Sequence, residues 1–204
     1  MVRRATKKQQ RQRKTKKVMV LAAEGANKTE KTYFNEFNSR QSQYRIIPAR
    51  GNNTDPVKIV QDAINSAQKE ELDYEYGDRA VAIFDVDFGK EKQIRDEINL
   101  ANSNNVEVFL SNPCFEVWLL LHFRFSTKGY VNNESVINDL KSYWPKYEKK
   151  ISSYSDINSL TTEAISNAKR VKAYFEKNNF NADVVKCNSS TDVHELVEDL
   201  LVSE

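Results

Sequence analysis

Four acidic residues lie at or just after the ends of predicted strands, and carboxylates in such positions can bind a metal ion or transfer protons. Glu24 follows the first apolar run, Asp85 ends the third, Asp87 comes two residues later, and Glu116 lies in the first turn of the helix after the fourth. If the strands are parallel, their carboxyl ends share one edge of the sheet, where α/β proteins bind ligands. Alternation along an extended chain sends Asp85 and Asp87 to the same side. The sequence therefore predicts that the four carboxylates meet in one pocket.

Clustered carboxylates are costly unless something balances their charge. Two carboxylates about 5 Å apart repel by roughly 3 kcal/mol at an effective dielectric constant near 20. Protons, basic neighbours or a cation offset this repulsion, and carboxylate oxygens without nearby His or Cys suit a hard ion such as Mg²⁺. Magnesium takes further ligands from phosphates, which indicates phosphoryl transfer or phosphodiester cleavage. Glu24 is then a metal ligand or general base, and Gly25 lets a phosphate approach the backbone without meeting a Cβ.

These residues also have ordinary structural interpretations. A single Glu after a strand is usually a solvated loop residue, and Glu116 could simply interact with its helix dipole. Glu30 lies three residues after Asn27, the spacing of a capping box, so a capping role is the commoner one. His122 and Trp118 lie on an apolar helix, where a core position is more frequent than a ligand position. The shared placement of the acids at strand ends favours the metal site over these alternatives.

Alternating strand and helix patterns must position these acids. Asp55 and Pro56 mark one helix start, and Asn112 with Pro113 marks another. The alternation over about 110 residues predicts βαβ units, a parallel sheet and right-handed crossovers. The predicted strands cover residues 17–23, 44–50, 79–85 and 106–111, and the predicted helices cover residues 29–40, 55–68, 91–102 and 113–123.

The C-terminal part interrupts this alternation. Residues 124–180 read as a helical addition, with helices at 133–144 and 161–178 joined by a polar, tyrosine-bearing connection. Its apolar content is thin for a separate core, so we expect a single domain over 18–204. A last strand is predicted at 182–188. A last helix follows at 192–201, opened by Asp192 with Glu195 three residues later.

Charge is unevenly distributed along the 204-residue chain, whose net charge is only +2. Residues 1–17 have no acid and hold 9 of the 31 basic residues, so 22 basic residues oppose 29 acidic ones in the remainder. Such a tail is either a disordered solubilising terminus or an arm that contacts nucleic-acid phosphates, and composition does not separate the two. The basic residues are Arg3, Arg4, Lys7, Lys8, Arg11, Arg13, Lys14, Lys16 and Lys17.

Cysteine usage and hydropathy favour a cytosolic protein. Cys114 and Cys187 are far apart and match no zinc pattern, so we expect two reduced thiols. No apolar stretch is long enough to span a bilayer. The basic leader and apolar run resemble a signal peptide only superficially, because Glu24 interrupts the run where a cleavage region is small and neutral.

Three motifs resemble those of a known family. "EGANKTEKTYF" resembles the opening signature of the Toprim domain of overcoming-lysogenization-defect nucleases and of RloB-like proteins, and "FDVDFGK" resembles the Toprim D-x-D element. "SNPCFEVWLLLHF" is very similar to the most characteristic run of the RloB-like family, and "SSTDVHELVEDL" is similar to that family's end. The resemblance covers about residues 18–202 and implies a Toprim-like α/β fold, a parallel sheet flanked by helices.

The resemblance also implies a function, a Mg²⁺-dependent (or Mn²⁺-dependent) nuclease of bacterial defence by abortive infection, often beside a partner ATPase. By position, Glu24 is the general base or acid, Asp85 and Asp87 bind metal, and Glu116 is a further acidic ligand. Supporting positions are Gly25, Glu30, Asn112 and His122, the last two matching the family run without an assigned role.

The substrate and the activity itself stay open at this point. RNA and DNA are both possible substrates, and the oligomeric state is not indicated. One alternative is a noncatalytic nucleic-acid-binding or regulatory subunit of a defence complex that keeps the acids for structure. Another is a different phosphoryl transfer on the same scaffold, such as nucleotidyl transfer, which would lengthen a nucleic acid instead of shortening it.

Overall fold

A five-stranded, mostly parallel sheet forms the centre of the protein. The computed structural model describes residues 16–24, 29–39, 42–51, 53–86, 89–149, 154–181 and 183–201. The strand order is β2-β1-β3-β4-β5; the first four strands are parallel and the last runs antiparallel to its neighbour. The strands are β1 (Lys17–Ala23), β2 (Tyr44–Pro48), β3 (Arg79–Asp85), β4 (Val106–Asn112) and β5 (Ser190–Thr191).

Helices cover both faces of this sheet, as the predicted fold class requires. Two short 3-10 helices, Tyr154–Asp156 and Asn158–Leu160, precede the longest helix. Among the described residues, no helix combines the length and the apolar character that crossing a membrane would need. The helices are α1 (Thr29–Asn35), α2 (Pro56–Lys69), α3 (Glu91–Asn102), α4 (Glu116–Leu121), α5 (Asn133–Tyr143), α6 (Thr161–Lys177) and α7 (Val193–Leu201).

The strand order creates a crevice between the carboxyl ends of β1 and β3. The two strands are hydrogen-bonded neighbours, with Ala23 opposite Ile83. The chain leaves β1 through α1 towards β2 on one side, and leaves β3 through α3 towards β4 on the other side. Such a reversal is the topological switch point at which open α/β sheets bind ligands. Glu24 follows β1 directly and Asp85 ends β3, so both lie at this point.

Alternating strand residues supply two apolar cores. Leu21 and Ile83 face one cluster, which includes residues of α1, α4, α5, α6 and α7. Ala22 and Phe84, one position further, face the other cluster, which includes residues of α2 and α3. Both faces are therefore covered, which explains why β1 and β3 read as continuous apolar runs and not as alternating ones.

The predicted parallel sheet flanked by helices is confirmed. The strands at 17–23 and 79–85 and the helix at 91–102 have the predicted bounds, and the remaining elements before residue 113 differ mainly in their ends. Asp55 caps α2 by accepting a hydrogen bond from the backbone N–H of Lys58 at 3.4 Å, and Pro56 occupies the first turn. The first helix is shorter than predicted and ends at Asn35.

Two predictions near the end of β4 and in the C-terminal part are wrong. Asn112 does not cap the following helix, because it ends β4 and the helix begins only at Glu116. The described residues 183–188 form turns instead of a strand. The last strand is the two-residue β5, which the predicted strand at 182–188 does not include.

The helical addition packs on the sheet. Val136 and Leu140 of α5, and Ala164 and Val171 of α6, belong to the same apolar cluster as Leu21 of β1. α5 begins with a capping box, in which Asn132 and Ser135 bond each other's backbone and side-chain groups. The connection between α5 and α6 also reaches the switch point, as the site geometry shows.

Candidate active site

Asp85 is held at the carboxyl end of β3 by a backbone N–H that lies just before α4. Its Oδ1 accepts a hydrogen bond from the N–H of Phe115 at 2.9 Å, just before α4 begins. The register places Asp85 opposite Ser111 of β4. Asp85 keeps partial exposure at the end of its strand. The strand end and the start of α4 together orient this carboxyl group.

Four acids form one group around Asp85, and we call Glu24, Glu30, Asp85 and Glu116 the acidic cluster. Burial raises the pKa of the Asp85 carboxyl well above its ordinary value. The other three carboxylates raise this pKa further, Glu24 most, then Glu30 and Glu116. Three of the four acids predicted to converge are therefore brought together, and Asp87 lies outside the described residues.

Glu116 is almost fully buried and is neutralised from the helical addition. Its Oε1 accepts a hydrogen bond from the Tyr147 hydroxyl at 2.8 Å and lies 3.0 Å from Lys149 Nζ. Burial acts to lower the pKa of Lys149, but attraction to Glu116 and Asp85 outweighs burial and the pKa is raised. Lys149 therefore carries its positive charge inside the acidic cluster at neutral pH.

Glu30 is a member of the acidic cluster whose carboxyl group keeps its proton. It lies in the first turn of α1, is 5% exposed, and its Oε2 has no hydrogen-bond partner. Burial raises its pKa to about 8, aided by Glu116 and Glu24, although a bond to its own backbone opposes the rise. A capping box would need a bond to the backbone N–H of Asn27 instead, and Asn27 lies outside the described residues, so the capping role stays a prediction. Glu30 is thus mostly neutral at pH 7.

The donor chemistry of the cluster fits a hard divalent cation. All four members offer carboxylate oxygens, which Mg²⁺ and Mn²⁺ accept, and Glu30 Oε2 is a buried oxygen without a partner. Within the described part of the chain, however, no three His, Cys, Asp or Glu side chains are already arranged to hold an ion. Glu116 is engaged by Lys149, and Asp87 is not among the described residues. The acids therefore fit the ion by chemistry, with Glu24, Asp85 and Asp87 as its expected ligands.

The comparison with known proteins identifies the family. A family model described as RloB-like protein matches residues 19–200. The chain belongs to the RloB-like family. No curated protein and no solved structure matches it. The matched range contains every acid of the RloB-like chain discussed above and leaves out the whole basic tail. A relationship to the Toprim domain stays a prediction.

Asn112 and His122, also predicted as site residues of the RloB-like chain, hold neighbouring segments of the fold together. The Asn112 side-chain amide donates to the carbonyl oxygens of Val184 at 2.8 Å and Val185 at 3.2 Å, which holds that segment to the end of β4. His122 is 1% exposed, and its Nδ1 lies 3.1 Å from the Trp118 carbonyl oxygen. Both contacts support the packing around α4, and His122 is the hydrogen-bonded core residue that its helix favours. Gly25 lies outside the described residues.

Sequence reasoning did not identify Lys149 and Tyr147 as site residues. They lie in the stretch "WPKYEKK" after α5, about thirty residues beyond Glu116, where neither spacing nor periodicity relates them to the acids. Tyr147 is fully buried despite its polar neighbours in sequence. The only signal for Tyr147 in the sequence is that it is an aromatic residue within a charged connection, and this pattern alone does not indicate a role.

The predicted nucleic-acid arm lies mostly outside the described residues, which begin at residue 16. The Lys16 ammonium donates to the Ser39 carbonyl oxygen. Lys17 is the first residue of β1, its N–H donates to the Gln43 carbonyl at 3.1 Å, and its ammonium lies 5.8 Å from the centre of the Tyr44 ring. Lys17 therefore belongs to the fold, and residues 1–15 of the predicted arm lie outside the described residues.

Both cysteines are buried free thiols, as predicted. Burial raises the pKa of the Cys114 thiol well above its ordinary value, and the neighbouring charges of Glu116 and Asp85 raise it further. A thiolate is therefore strongly disfavoured beside the acidic cluster, so Cys114 is unsuited to act as a nucleophile or soft metal ligand at neutral pH.

A cavity of about 300 Å³ lies on another part of the molecule. Residues of α3, β4, α6 and the 183–195 segment line it, and its walls are formed by side chains such as Val108, Phe175 and His194. None of its lining residues belongs to the acidic cluster. This cavity therefore lies apart from the place that charge and topology indicate, and the convergence of acids at the switch point is the stronger sign of a functional site.

Proposed function

We propose that this RloB-like protein is a Mg²⁺-dependent or Mn²⁺-dependent nuclease that hydrolyses phosphodiester bonds in RNA or DNA. The observation that carries the proposal is the convergence of Glu24, Glu30, Asp85 and Glu116 at the switch point of the sheet. Acids at this place meet the ligand-binding edge, where a nucleic-acid strand can reach them. Family membership supports the proposal through the motifs that the chain has in common with RloB-like proteins.

Each described acid then has a distinct task. Glu24 is partly exposed at the end of β1, so it can exchange protons with a water or a leaving group as general base or acid. Asp85, held by the Phe115 N–H, presents a fixed ligand oxygen beside it. An ion bound by Glu24, Asp85 and Asp87 would supply charge stabilisation for the phosphate and a more acidic bound water.

Glu116 and its partners form the inner wall of the site. Tyr147 and Lys149 fix the Glu116 carboxylate. Glu116 can therefore serve as a further metal ligand only if it gives up its contact with Lys149. The Lys149 ammonium, 29% exposed at its side chain, is then free to attract a phosphate oxygen. The helical addition would in this way contribute directly to substrate binding.

The biological setting that fits such an enzyme is bacterial anti-phage defence by abortive infection, with a partner ATPase. The RloB-like match supports this setting only through the family resemblance. The basic tail, residues 1–17, would add nonspecific phosphate contacts to nucleic acid.

The test is cleavage by the purified full-length chain. Total cellular RNA and plasmid DNA are incubated with protein and Mg²⁺, Mn²⁺ or EDTA, beside the variants Asp85→Asn and Glu24→Gln. We expect shortened products that require the metal and disappear in both variants. Products of unchanged length with either metal, also after addition of a partner ATPase, would contradict a nuclease. Lengthened products in the presence of nucleotides would indicate nucleotidyl transfer.

A noncatalytic nucleic-acid-binding or regulatory subunit is the second candidate, and one observation favours it. Lys149 neutralises Glu116, and Glu30 keeps its proton, so two of the four acids in the cluster need no bound cation. Under this alternative the chain binds nucleic acid equally with and without Mg²⁺, and Asp85→Asn changes neither binding nor the response to metal.

A further inference from the structure

Buried polar atoms without partners concentrate between α1 and α4. Across the described ranges, six buried side-chain nitrogen or oxygen atoms lack a hydrogen-bond partner, and two of these belong to Glu97 on α3. Each unsatisfied buried group typically costs about 1–3 kcal/mol, so native proteins keep few of them. The other four are Glu30 Oε2, Tyr33 Oη, Trp118 Nε1 and His122 Nε2.

Three of these residues contact one another through their rings. The ring centres of Trp118 and His122 are 4.8 Å apart, and the Tyr33 ring lies 6.2 Å from His122 and 6.4 Å from Trp118, all edge to face. Burial raises the pKa of the Tyr33 hydroxyl well above its ordinary value, and Tyr154 adds to the rise, while a hydrogen-bonding approach of the Trp118 indole opposes it. All three side chains are at most 2% exposed.

The three polar atoms have complementary hydrogen-bonding roles. His122 Nδ1 must donate to the Trp118 carbonyl, since a carbonyl oxygen only accepts, and this leaves His122 Nε2 as an acceptor. Trp118 Nε1 is a donor only, and the Tyr33 hydroxyl is both donor and acceptor. A water molecule needs two to four such partners of mixed character, and buried waters typically make about three hydrogen bonds.

We propose that Tyr33, Trp118 and His122 bind one buried water molecule that joins α1 to α4 behind the acidic cluster. The water accepts a hydrogen bond from the Trp118 indole and donates one to His122 Nε2. Its third hydrogen bond is with the Tyr33 hydroxyl, which can donate or accept. Each of the three orphan atoms then has a partner.

This water site gives His122 and Tyr33 a positioning role. α1 carries Glu30 one turn before Tyr33, and α4 begins with Glu116 two residues before Trp118. The bridge therefore fixes the spacing of the two helices that deliver these acids. The water site itself does not depend on the proposed nuclease activity, because it follows from burial and hydrogen bonding alone.

A crystal structure of the full-length protein at about 1.5 Å resolution tests the site directly. We expect a density peak about 3 Å from Tyr33 Oη, Trp118 Nε1 and His122 Nε2. Absence of density there, or a direct hydrogen bond between any two of these three side chains, would overturn the proposal.

Tyr33→Phe tests the energetics, because it removes only the hydroxyl. With a bridging water, the folded-to-unfolded ratio in urea titrations should fall roughly tenfold, which equals about 1.4 kcal/mol. A dry, unsatisfied hydroxyl predicts an unchanged or more stable variant, because removing it relieves a desolvation cost. Tyr174→Phe, at an exposed tyrosine of α6, is the matched control and should change nothing.

A double-mutant cycle with His122→Phe tests whether the two residues bind the same water. Removing either ligand already disrupts the bridge, so the double variant should lose clearly less stability than the sum of the single losses. Strictly additive losses would show that Tyr33 and His122 act independently and would contradict a common bound water. If His122→Phe does not fold, the wild-type electron density decides alone.

Discussion

Strong electrostatic effects act on the Asp85 carboxyl group in opposite directions. The backbone N–H of Phe115 favours the charged carboxylate, and a hydrogen bond to a charged group contributes about 1.5–3 kcal/mol. Burial opposes it most, and the neighbouring acids, led by Glu24, add to this opposition; two carboxylates about 5 Å apart repel by roughly 3 kcal/mol. The raised pKa shows that the opposing effects win. Asp85 is therefore a position where removing charge should stabilise the fold.

Asp85→Asn should stabilise the metal-free protein and remove its response to metal. The amide keeps an oxygen for the Phe115 N–H while removing the repelled charge, so in EDTA at pH 8 we expect the free energy of unfolding to rise by about 1–3 kcal/mol. Mg²⁺ at about one hundred times its Kd should stabilise the wild type by about 2.7 kcal/mol and the variant hardly at all. Urea titrations with EDTA and with Mg²⁺ measure both effects.

Two outcomes would count against Asp85 as a metal ligand. An Asp85 that serves only to hold the start of α4 predicts a less stable variant, because an amide oxygen is the weaker acceptor for the Phe115 N–H. Equal stabilisation of both proteins by Mg²⁺ would place any bound ion elsewhere. Asp73→Asn, a change on the loop before β3, controls for a general effect of removing one charge.

Lys149→Met should destabilise the protein and strengthen its response to Mg²⁺. The substitution leaves the buried Glu116 carboxylate with Tyr147 but without its cation, which we expect to cost about 2 kcal/mol because Lys149 is partly exposed. A bound divalent cation would then replace the missing positive charge, so the Mg²⁺-induced shift of the melting temperature should exceed that of the wild type.

Comparison with two further lysine variants makes this prediction specific. Lys149→Arg keeps the charge and should recover most of the stability, whereas Lys141→Met on the exposed face of α5 should change it by less than about 0.5 kcal/mol. Wild-type stability and an unchanged Mg²⁺ response in Lys149→Met would show that Lys149 does not balance the acidic cluster.

At the scale of helices and strands, the sequence predicted correctly those features that depend on residues close together in the chain. β1 and β3 are continuous apolar runs that only a sheet covered on both faces can bury, and α2 has both a capping aspartate and a proline in its first turn. The convergence of Glu24 and Asp85 followed from parallel topology alone. These features needed no knowledge of distant contacts.

Contacts distant in sequence account for the failures. Asn112 resembles a helix cap locally, but its amide is bound by the carbonyls of Val184 and Val185, more than seventy residues later. The apolar residues at 184–185 resemble a strand, yet they form turns beside the end of β4. Lys149 reaches Glu116 across thirty-three residues, and no pattern in a single sequence encodes such a pairing.

Asp192 should make stability fall as pH rises from about 4 to 7. It precedes α7, and its carboxylate accepts from the Leu110 N–H of β4. Burial raises its pKa from 3.8 to about 7, with Glu195 adding to the rise and that hydrogen bond and Lys172 opposing it. Between these values the folded state holds a proton that the unfolded state has lost. The free energy of unfolding therefore decreases with pH, by at most about 1.4 kcal/mol per pH unit.

Asp192→Asn should flatten this part of the stability profile. The amide still accepts from the Leu110 N–H but does not titrate, so urea titrations between pH 4 and 7 should show a less negative slope than in the wild type. Asp55→Asn makes the same change at the exposed cap of α2 and separates loss of a cap from loss of the buried carboxyl group. Parallel profiles for Asp192→Asn and wild type would show that Asp192 is already ionised at pH 4.

On the scale of the whole molecule, the basic tail and the acidic cluster begin at opposite edges of the sheet. The tail joins the fold at the start of β1, whereas Glu24 follows its end, and seven strand residues span about 20 Å. Fifteen extended residues reach about 50 Å, so the tail can contact a nucleic acid bound at the crevice without forming part of it. We therefore expect the tail to affect substrate binding and to leave the chemical step unchanged.

Deleting residues 1–15 tests this separation, and stopping there keeps Lys17 in β1. The deletion removes seven basic residues, and each lost phosphate contact should lower the slope of log K against log salt by about 0.9 for duplex DNA or about 0.7 for a single strand. If the chain cleaves nucleic acid, KM should rise at low salt while kcat stays within about twofold, because the acids are untouched. A variant with serine at the seven basic positions keeps the tail's length and should reproduce the deletion, since charge and not chain length drives counterion release. An unchanged salt slope in both variants would show that the tail only solubilises the protein, and a fall in kcat in both would place the tail in the chemical step.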